Sequence, residues 1–574
     1  MLLDAGVVTR CRRRVHLEHD PAAVDAPRAA PDLTTERRVA DAVAHRRAVA
    51  DTLARQRTTD WMEVPPGLPA EQRRAATLAL LREGAPFVWG GLLPADVPSG
   101  RRGSVELLVR HHRGGYLPVI VVRHKITDPG SGARTSPLAQ PVLAAASIDP
   151  TRKVRAQSRD QLRLAHALRL LQGAGLAARG RATGGVVGLE ADVVVWHDLD
   201  APTWPGGRTA MAEYDARFAD RLAVARAAAT RAEPLAQPSR VTECRSCPWW
   251  PTCGPALRAA RDVSMVLRGE DVAAVRAAGV CTVDALASLD PAGDPPVPVV
   301  GMSVRDAVLL ARAWQRDLTL VRRNRRTAVP RADVELDVDM ESFDDAGAYL
   351  WGCLLSGSDV GLPHGYRAFA TWEPVPTPDE ARSFAEFWGW LADVRSRAAE
   401  RGLSLRAYCY NEQAENRWML ASAARFAGAR GVPTAEEVQE FISSGQWVDL
   451  YQVVSTEFLC AQGKGLKTIA PAAGFSWRDP EASGENSMRW YRDAVGMGGG
   501  APDPVQRERL LTYNADDVRA THALRHWMSS ERVCDVPYAG DLTALTVCHD
   551  GIVHTELKVN TELKVNTALK VNTA

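Results

Sequence analysis

Ala332 to Gly347, ADVELDVDMESFDDAG, is the stretch on which the reading of the fold turns. Its VELDV portion is β-branched and alternates apolar with acidic residues, the period of a strand with one face buried and one polar. The strand ends in Asp339-Met340-Glu341. Residues two apart on a strand share a face, so Asp339 and Glu341 present two carboxylates together, and Asp337 has the same parity. Like charges crowded in this way are costly unless a cation neutralises them, which makes the pair a candidate metal site.

Two later segments carry the chemistry further. LSLRAYCYNEQAENRWML reads as a strand running into a helix, with Asn411 and Glu415 at N-x3-acid spacing. Near the end, Tyr513-Asn514-Ala515-Asp516-Asp517 opens a helix that continues VRATHALRHWM, and Tyr513 and Asp517 lie one turn apart on one face. An acid pair on a first strand, a later acid and Tyr-x3-Asp on a late helix resemble an RNase H-like 3′–5′ exonuclease domain of the DEDD class, Tyr subtype. VDLYQVV and GLKTIAPAAGFSW extend the likeness over about residues 331–530. The resemblance implies that Asp339, Glu341 and Asp517 bind two Mg2+ or Mn2+ ions and that Tyr513 orients the attacking water. Glu415 stands where the class usually has Asp. Asp449 in WVDLYQ is a further acid, able either to reach the site or to cap a helix.

In the N-terminal half, ECRSCPWWPTCG (Glu243 to Gly254) sets Cys244, Cys247 and Cys253 in CxxC-x5-C spacing, and Cys11 lies far away in TRCRRRVHLEHD. Uneven spacing with one remote ligand fits an iron–sulfur cluster better than structural zinc, which usually takes two local pairs. Such a cluster would staple the start of the domain to its end.

Between these cysteines, residues 34–57 read as a helix carrying His45. FVWGGLLP, SVELLVRHH and YLPVIVVRHK read as strands, Ser158 to Gln172 as an amphipathic helix, and GGVVGLEADVVVWHDL as a return to strand. The order Cys11, helix with His45, strand with Glu106, strand with Lys125, helix with Gln161 and terminal cysteine triplet resembles the RecB-type nucleases of the PD-(D/E)xK superfamily. It is closest to members with a four-cysteine [4Fe-4S] cluster. That resemblance implies Glu106 as a metal ligand, Lys125 as the cation beside the scissile phosphate and Gln161 on the motif helix. The sequence departs from the pattern, because Arg123 stands two before Lys125 where an acid is usual and the motif helix lacks its Tyr. With one carboxylate, the domain is expected to bind DNA, and to cut it only if another acid substitutes.

Residues 261–326 read as strand-free. VLRGEDVAAVRAAGVCTVDALASL forms two short helices around a Gly turn, then come a Pro-rich loop and a helix from Val304 to Leu318, a pattern that resembles a helix-hairpin-helix element. The expected fold class is therefore α/β: a RecB-type PD-(D/E)xK nuclease-like domain at 1–258, a helical, helix-hairpin-helix-like linker at 259–330, an RNase H-like α/β DEDD exonuclease domain at 331–532, and a C-terminal tail at 533–574. That tail ends in TELKVNTELKVNTALKVNTA, a period-six repeat expected to be disordered.

The totals bound the rest. At 574 residues the chain needs two or three domains. Its 70 basic and 69 acidic residues leave a formal charge of +1, so nucleic-acid affinity must come from local clusters such as Arg322 to Arg326. Ten dispersed cysteines suit a cytoplasmic protein rather than a disulfide framework, and no signal peptide or membrane-spanning run is expected. No Walker A motif is present, so translocation would need a helicase partner. The reading is a metal-dependent nuclease acting on DNA, with RNA a second option. Its competitor is a non-catalytic nucleic-acid-binding scaffold in a repair or defence complex.

Overall fold

The computed structural model describes residues 1–31, 33–57, 59–293 and 301–543. The Pro-rich segment 294–300 and the terminal repeats at 555–574 lie outside the described residues.

The acidic stretch forms β1 (Val334–Phe343), which turns directly into β2 (Gly347–Gly357) and β3 (Gly365–Ala370), all antiparallel. A helix, α1 (Glu380–Glu400), then carries the chain across the sheet to β4 (Leu405–Cys409), which pairs parallel with β1 as a crossover connection permits. After α2 (Gln413–Arg425), β5 (Trp447–Asp449) adds parallel to β4, giving the order β3-β2-β1-β4-β5. Two later helices, α3 (Gly484–Ala494) and α4 (Pro504–Met528), complete this half.

The alternation along β1 decides what each face meets. Val334, Leu336, Val338 and Met340 are buried in one core with Phe384, Phe387 and Trp390 of α1 and with Trp418 and Met419 of α2. Glu335, Asp337, Asp339 and Glu341 therefore turn to the opposite face, where α4 lies across the sheet.

The N-terminal half is built on an eight-stranded mixed sheet. Its spatial order is Trp61–Glu63, Phe87–Trp89, Leu107–Arg110, Tyr116–Val121, Thr183–Val187, Val193–Asp198, Ala133–Pro137 and Ser147–Asp149. The helix Ser158–Gly173 buries Leu164 and Leu168 with Val88, Leu108, Ile120 and Val186 on one face. On the other, Val49, Ala50 and Leu53 of the helix Leu33–Gln56 pack with Phe87, Trp89, Leu107 and Val119. Two expectations change here. Glu106 precedes its strand instead of lying on it, and Lys125 falls beyond Val121, where the neighbouring strand stops.

The middle segment holds the helices Gly269–Ala277, Val283–Ala287 and Val304–Gln315, with Gly279 at φ +86° making the turn between the first two. It is not free of strands. Leu320–Arg322 pairs antiparallel with Phe458–Cys460, a partner too distant in sequence for local pattern to announce. Residues 533–543, expected to belong to the tail, are packed: Val533, Ala539 and Leu542 are buried, and Arg312 donates to the carbonyls of Leu542 and Thr543. The two halves meet along the β1–β2 turn, where Asp344 pairs with Arg123 and Asp345 with Arg155 and Arg417. No helix among the described residues is long and apolar enough to cross a membrane.

Candidate metal centre

Asp339 and Glu341 leave β1 on the α4 side, and Asp517 meets them from α4. Each offers a carboxylate oxygen, and the three oxygens lie within 4.8 Å of one another. Among the described residues this is the one group of three or more His, Cys, Asp or Glu side chains so arranged. Glu341 and Asp517 are each 8 % exposed, so water does little to separate their charges.

Each acid is held by a neutral donor. Asn514 Nδ2 donates to Asp339 Oδ2 at 2.7 Å, and Asn514 Oδ1 in turn accepts from the Tyr366 hydroxyl at 2.7 Å. Trp477 Nε1 donates to Asp517 Oδ1 at 2.6 Å, and Ser487 Oγ to Glu341 Oε2 at 3.3 Å. Gly352, opposite Asp339 in the β1–β2 register, makes room for this arrangement, because a Cβ there would stand 1.7 Å from Asn514 Oδ1. Tyr513, one turn before Asp517, hydrogen-bonds with it and accepts from Lys467 Nζ at 2.9 Å.

The electrostatics are those of a cation site. Burial, then the charges of Asp517 and Glu341, push the Asp339 carboxyl well above the usual range. Burial, then Asp517, lifts Glu341 to about 8, and burial raises Asp517 against the opposing pull of Lys467. Glu415, buried in the first turn of α2, is lifted to about 8 by burial and raises both Asp339 and Glu341, although it stands outside the group of three. Its Oε2 is buried with no hydrogen-bond partner. Crowded carboxylates beside an orphaned carboxylate oxygen suit a hard divalent cation such as Mg2+ or Mn2+, which would remove the penalty that raises these pKa values. Burial and the neighbouring acids raise Tyr513 too, so it keeps its proton at neutral pH.

Residues 424–529 match RNase_H_2, a family model of the RNase_H superfamily. An RNase H superfamily domain is therefore found at residues 424–529. No curated protein and no solved structure matches the chain. The match runs from within α2 to the end of α4, so of the acid group it contains Asp517, while Asp339 and Glu341 come from upstream in the same sheet.

Along β1 the acids divide into two kinds. Asp337 and Glu335 are fully or nearly fully buried against Arg525, whose Nη2 lies 2.7 Å from Asp337 Oδ2 and whose Nη1 pairs with Glu335. Burial would raise Glu335, yet its hydrogen bond to Arg331 and the Arg525 charge hold it down to about 2. One end of the acidic face is thus held in direct ion pairs with Arg525, whereas the three acids at the other end have only the charge of Lys467 to offset them, with no direct ion pair among the described residues. Asp449 is a helix cap, accepting from the backbone N–H of Tyr451 and of Asn411 at 2.8 Å each.

The N-terminal expectations fare differently. Glu106 is neutralised by arginines, pairing with Arg163 and standing 3.8 Å from Arg46, so it is not placed as a metal ligand. Lys125 is far from it in role, with its ammonium 6.0 Å above the Trp418 ring at the boundary between the halves. Gln161 accepts from Trp204 Nε1 at 3.0 Å, because residues two apart on a helix face different ways and Arg163 takes the side toward Glu106. Cys11 does come to the 244–253 segment: its backbone N–H donates to Glu243 at 2.6 Å, and Arg14 pairs with the same carboxylate. The charges of Cys11, Cys247 and Cys244 each raise Cys253, which burial first lifts to about 11. No three of these sulfurs lie within 4.8 Å of one another. A tetrahedral zinc would need roughly 3.8 Å, from Zn–S bonds of about 2.3 Å.

Sequence reading gave no role to Lys467, Trp477, Ser487, Asn514 or Gly352. Lys467 and Trp477 sit in the quoted GLKTIAPAAGFSW and Asn514 inside Tyr-x3-Asp, but only the fold reveals which of their atoms turn inward.

Proposed function

We propose that the chain is a divalent-metal-dependent nuclease whose C-terminal domain removes nucleotides from the 3′ end of a nucleic-acid strand, DNA in preference to RNA. The observation that carries the reading is the convergence of Asp339, Glu341 and Asp517 oxygens within 4.8 Å of one another, two of the three acids being buried. Asp339, Glu341 and Asp517 would hold the metal, with Glu415 behind them. Bound metal supplies charge stabilisation to the attacking and leaving oxygens of the phosphodiester. Asn514, Ser487 and Trp477 fix the three carboxylates, and Tyr513, its hydroxyl held between Lys467 and Asp517, orients the attacking water.

For the N-terminal half the proposal is a RecB-like strand-holding domain in which Cys11, Cys244, Cys247 and Cys253 carry a [4Fe-4S] cluster. The support is a donor set of four thiols, drawn from both ends of that half, that feel one another's charge without the close approach a single zinc ion requires. Such a cluster supplies structural cross-linking and, where exposed, one-electron redox chemistry.

Purified full-length protein incubated with 5′-labelled single-stranded DNA, duplex DNA and RNA tests the activity. A ladder descending from full length that requires Mg2+ or Mn2+ is expected. A second reading, the non-catalytic scaffold, is favoured by Lys467, whose ammonium already offsets all three acids. Tight binding with no product in either metal would establish it.

A further inference from the structure

We propose that the N-terminal half grips a phosphate of the nucleic-acid strand in the cavity framed by Arg46, Arg123, Arg159 and Arg163. The proposal rests on the reading of the chain as acting on nucleic acid and assigns the ligand to a pocket that cleavage does not use. The cavity measures about 430 Å³, room for a phosphate with part of its nucleotide. Four guanidinium groups line it, and the one acid among the lining residues, Asp160, is engaged by His124 Nε2 at 2.8 Å.

The cations are incompletely satisfied from within. Arg159 makes no ion pair among the described residues, and its nearest polar contact is His124 Nδ1 at 3.5 Å. Arg46 Nε is buried without a hydrogen bond, since Glu106 stands 3.8 Å away, beyond bonding reach. Arg163 takes the remaining charge of Glu106, and Arg123 is shared between Asp41 and Asp344. A buried guanidinium N–H without an acceptor, as at Arg46 Nε, is costly, and a phosphate could answer it together with the exposed Arg159, unpaired among the described residues. Arg159 and Asp160 lie in the first turn of the Ser158–Gly173 helix, whose N-cap Gln157 supplies no side-chain hydrogen bond, so the positive end of that helix faces the same space. Glu106, expected as a metal ligand, instead lies outside the cavity lining and pairs with Arg163, one of the four arginines that form the anion cradle.

Arg159→Glu is the decisive variant because the side chain is exposed and carries no structural ion pair; a thermal melt checks that it folds. Fluorescence anisotropy with a labelled 20-nucleotide single strand and a duplex, in EDTA, gives affinity against salt. We expect binding to weaken about tenfold or more, with the slope of log Kd against log salt reduced by about one. Arg46→Gln should act in the same direction. Manganese-dependent hydrolysis of thymidine 5′-(p-nitrophenyl phosphate), which reads the C-terminal site alone, should be unchanged. Unchanged strand affinity and slope in both variants, with the wild type binding normally, would overturn the pocket while leaving the nuclease reading intact. Pyrophosphate binding lost in Arg159→Glu without any change in strand affinity would reassign the pocket to a small anion and overturn the strand proposal. A wild type that binds no strand at all overturns both.

Discussion

Lys467 and Tyr513 are joined by a 2.9 Å hydrogen bond that links a cation on the short helix Leu466–Ile469 to the helix bearing Asp517. The ammonium also lies 4.4 Å from the Tyr513 ring centroid, so the position of the tyrosine depends on it. Lys467→Met should therefore lower kcat by roughly 10- to 100-fold, the worth of one charge-assisted hydrogen bond. Because the ammonium competes with a metal for the same acids, Mn2+ affinity should be equal or tighter in that variant. Steady-state rates together with Mn2+ titration by electron paramagnetic resonance check both halves.

A pH dependence follows from Glu341, lifted to about 8 from an ordinary value near 4.5. Between those values the metal-free folded protein holds a proton that the unfolded chain has lost. The corresponding stability is fully present below pH 4.5 and fades as pH rises through 8. Metal binding replaces that proton, so the rise in Tm on adding Mg2+ should be small at pH 6 and several °C at pH 8.5, given about 2–4 °C per kcal/mol for a domain of this size. Differential scanning fluorimetry at the two pH values, with and without Mg2+, measures it. Glu341→Gln should reduce the pH-dependent part, with the remainder coming from Asp339, Asp517 and Glu415, which burial also raises.

Gly352→Ala places a methyl where Asn514 Oδ1 now sits, 1.7 Å from it. Asn514 must turn away, releasing Asp339 and leaving the Tyr366 hydroxyl unpaired. A loss of about 1–3 kcal/mol in stability is expected from overpacking, with a fall in activity larger than the fraction unfolded explains. Denaturant melts paired with rate measurements separate the two effects.

Arg525→Met addresses the other end of the same strand. It leaves Glu335 and Asp337 as buried charges without their shared partner, so a loss of about 3–5 kcal/mol is expected. Residual folded protein at low temperature should retain Mn2+ binding, since Arg525 takes no part in the acid group. Chemical denaturation and Mn2+ titration of this variant test the division between structural and metal-seeking acids.

How much of this was legible in the sequence depends on range. The alternation of β1 and the Tyr513–Asp517 spacing are local, so strand, helix and the shared face of Asp339 and Glu341 could be read directly. Local pattern also suggested Asp337 as an equal partner. Its separation from the group depends on Arg525, more than 180 residues away, and on where α4 crosses the sheet. Lys467 lies on a single helical turn and Trp477 on irregular chain, neither long enough for a period to reveal its direction. In the N-terminal half, alternation located the strands but not their ends, which left Glu106 and Lys125 off them. The choice of Gln161 over Arg163 was a matter of helix phase, fixed by packing against Trp204.

The most direct test of the central claim is the location of Mn2+ by anomalous diffraction from crystals of the full chain. Density flanked by Asp339, Glu341 and Asp517, lost in Asp517→Asn, is the expected result. Manganese bound elsewhere, or excluded while Lys467 keeps its place beside the three acids, would contradict it.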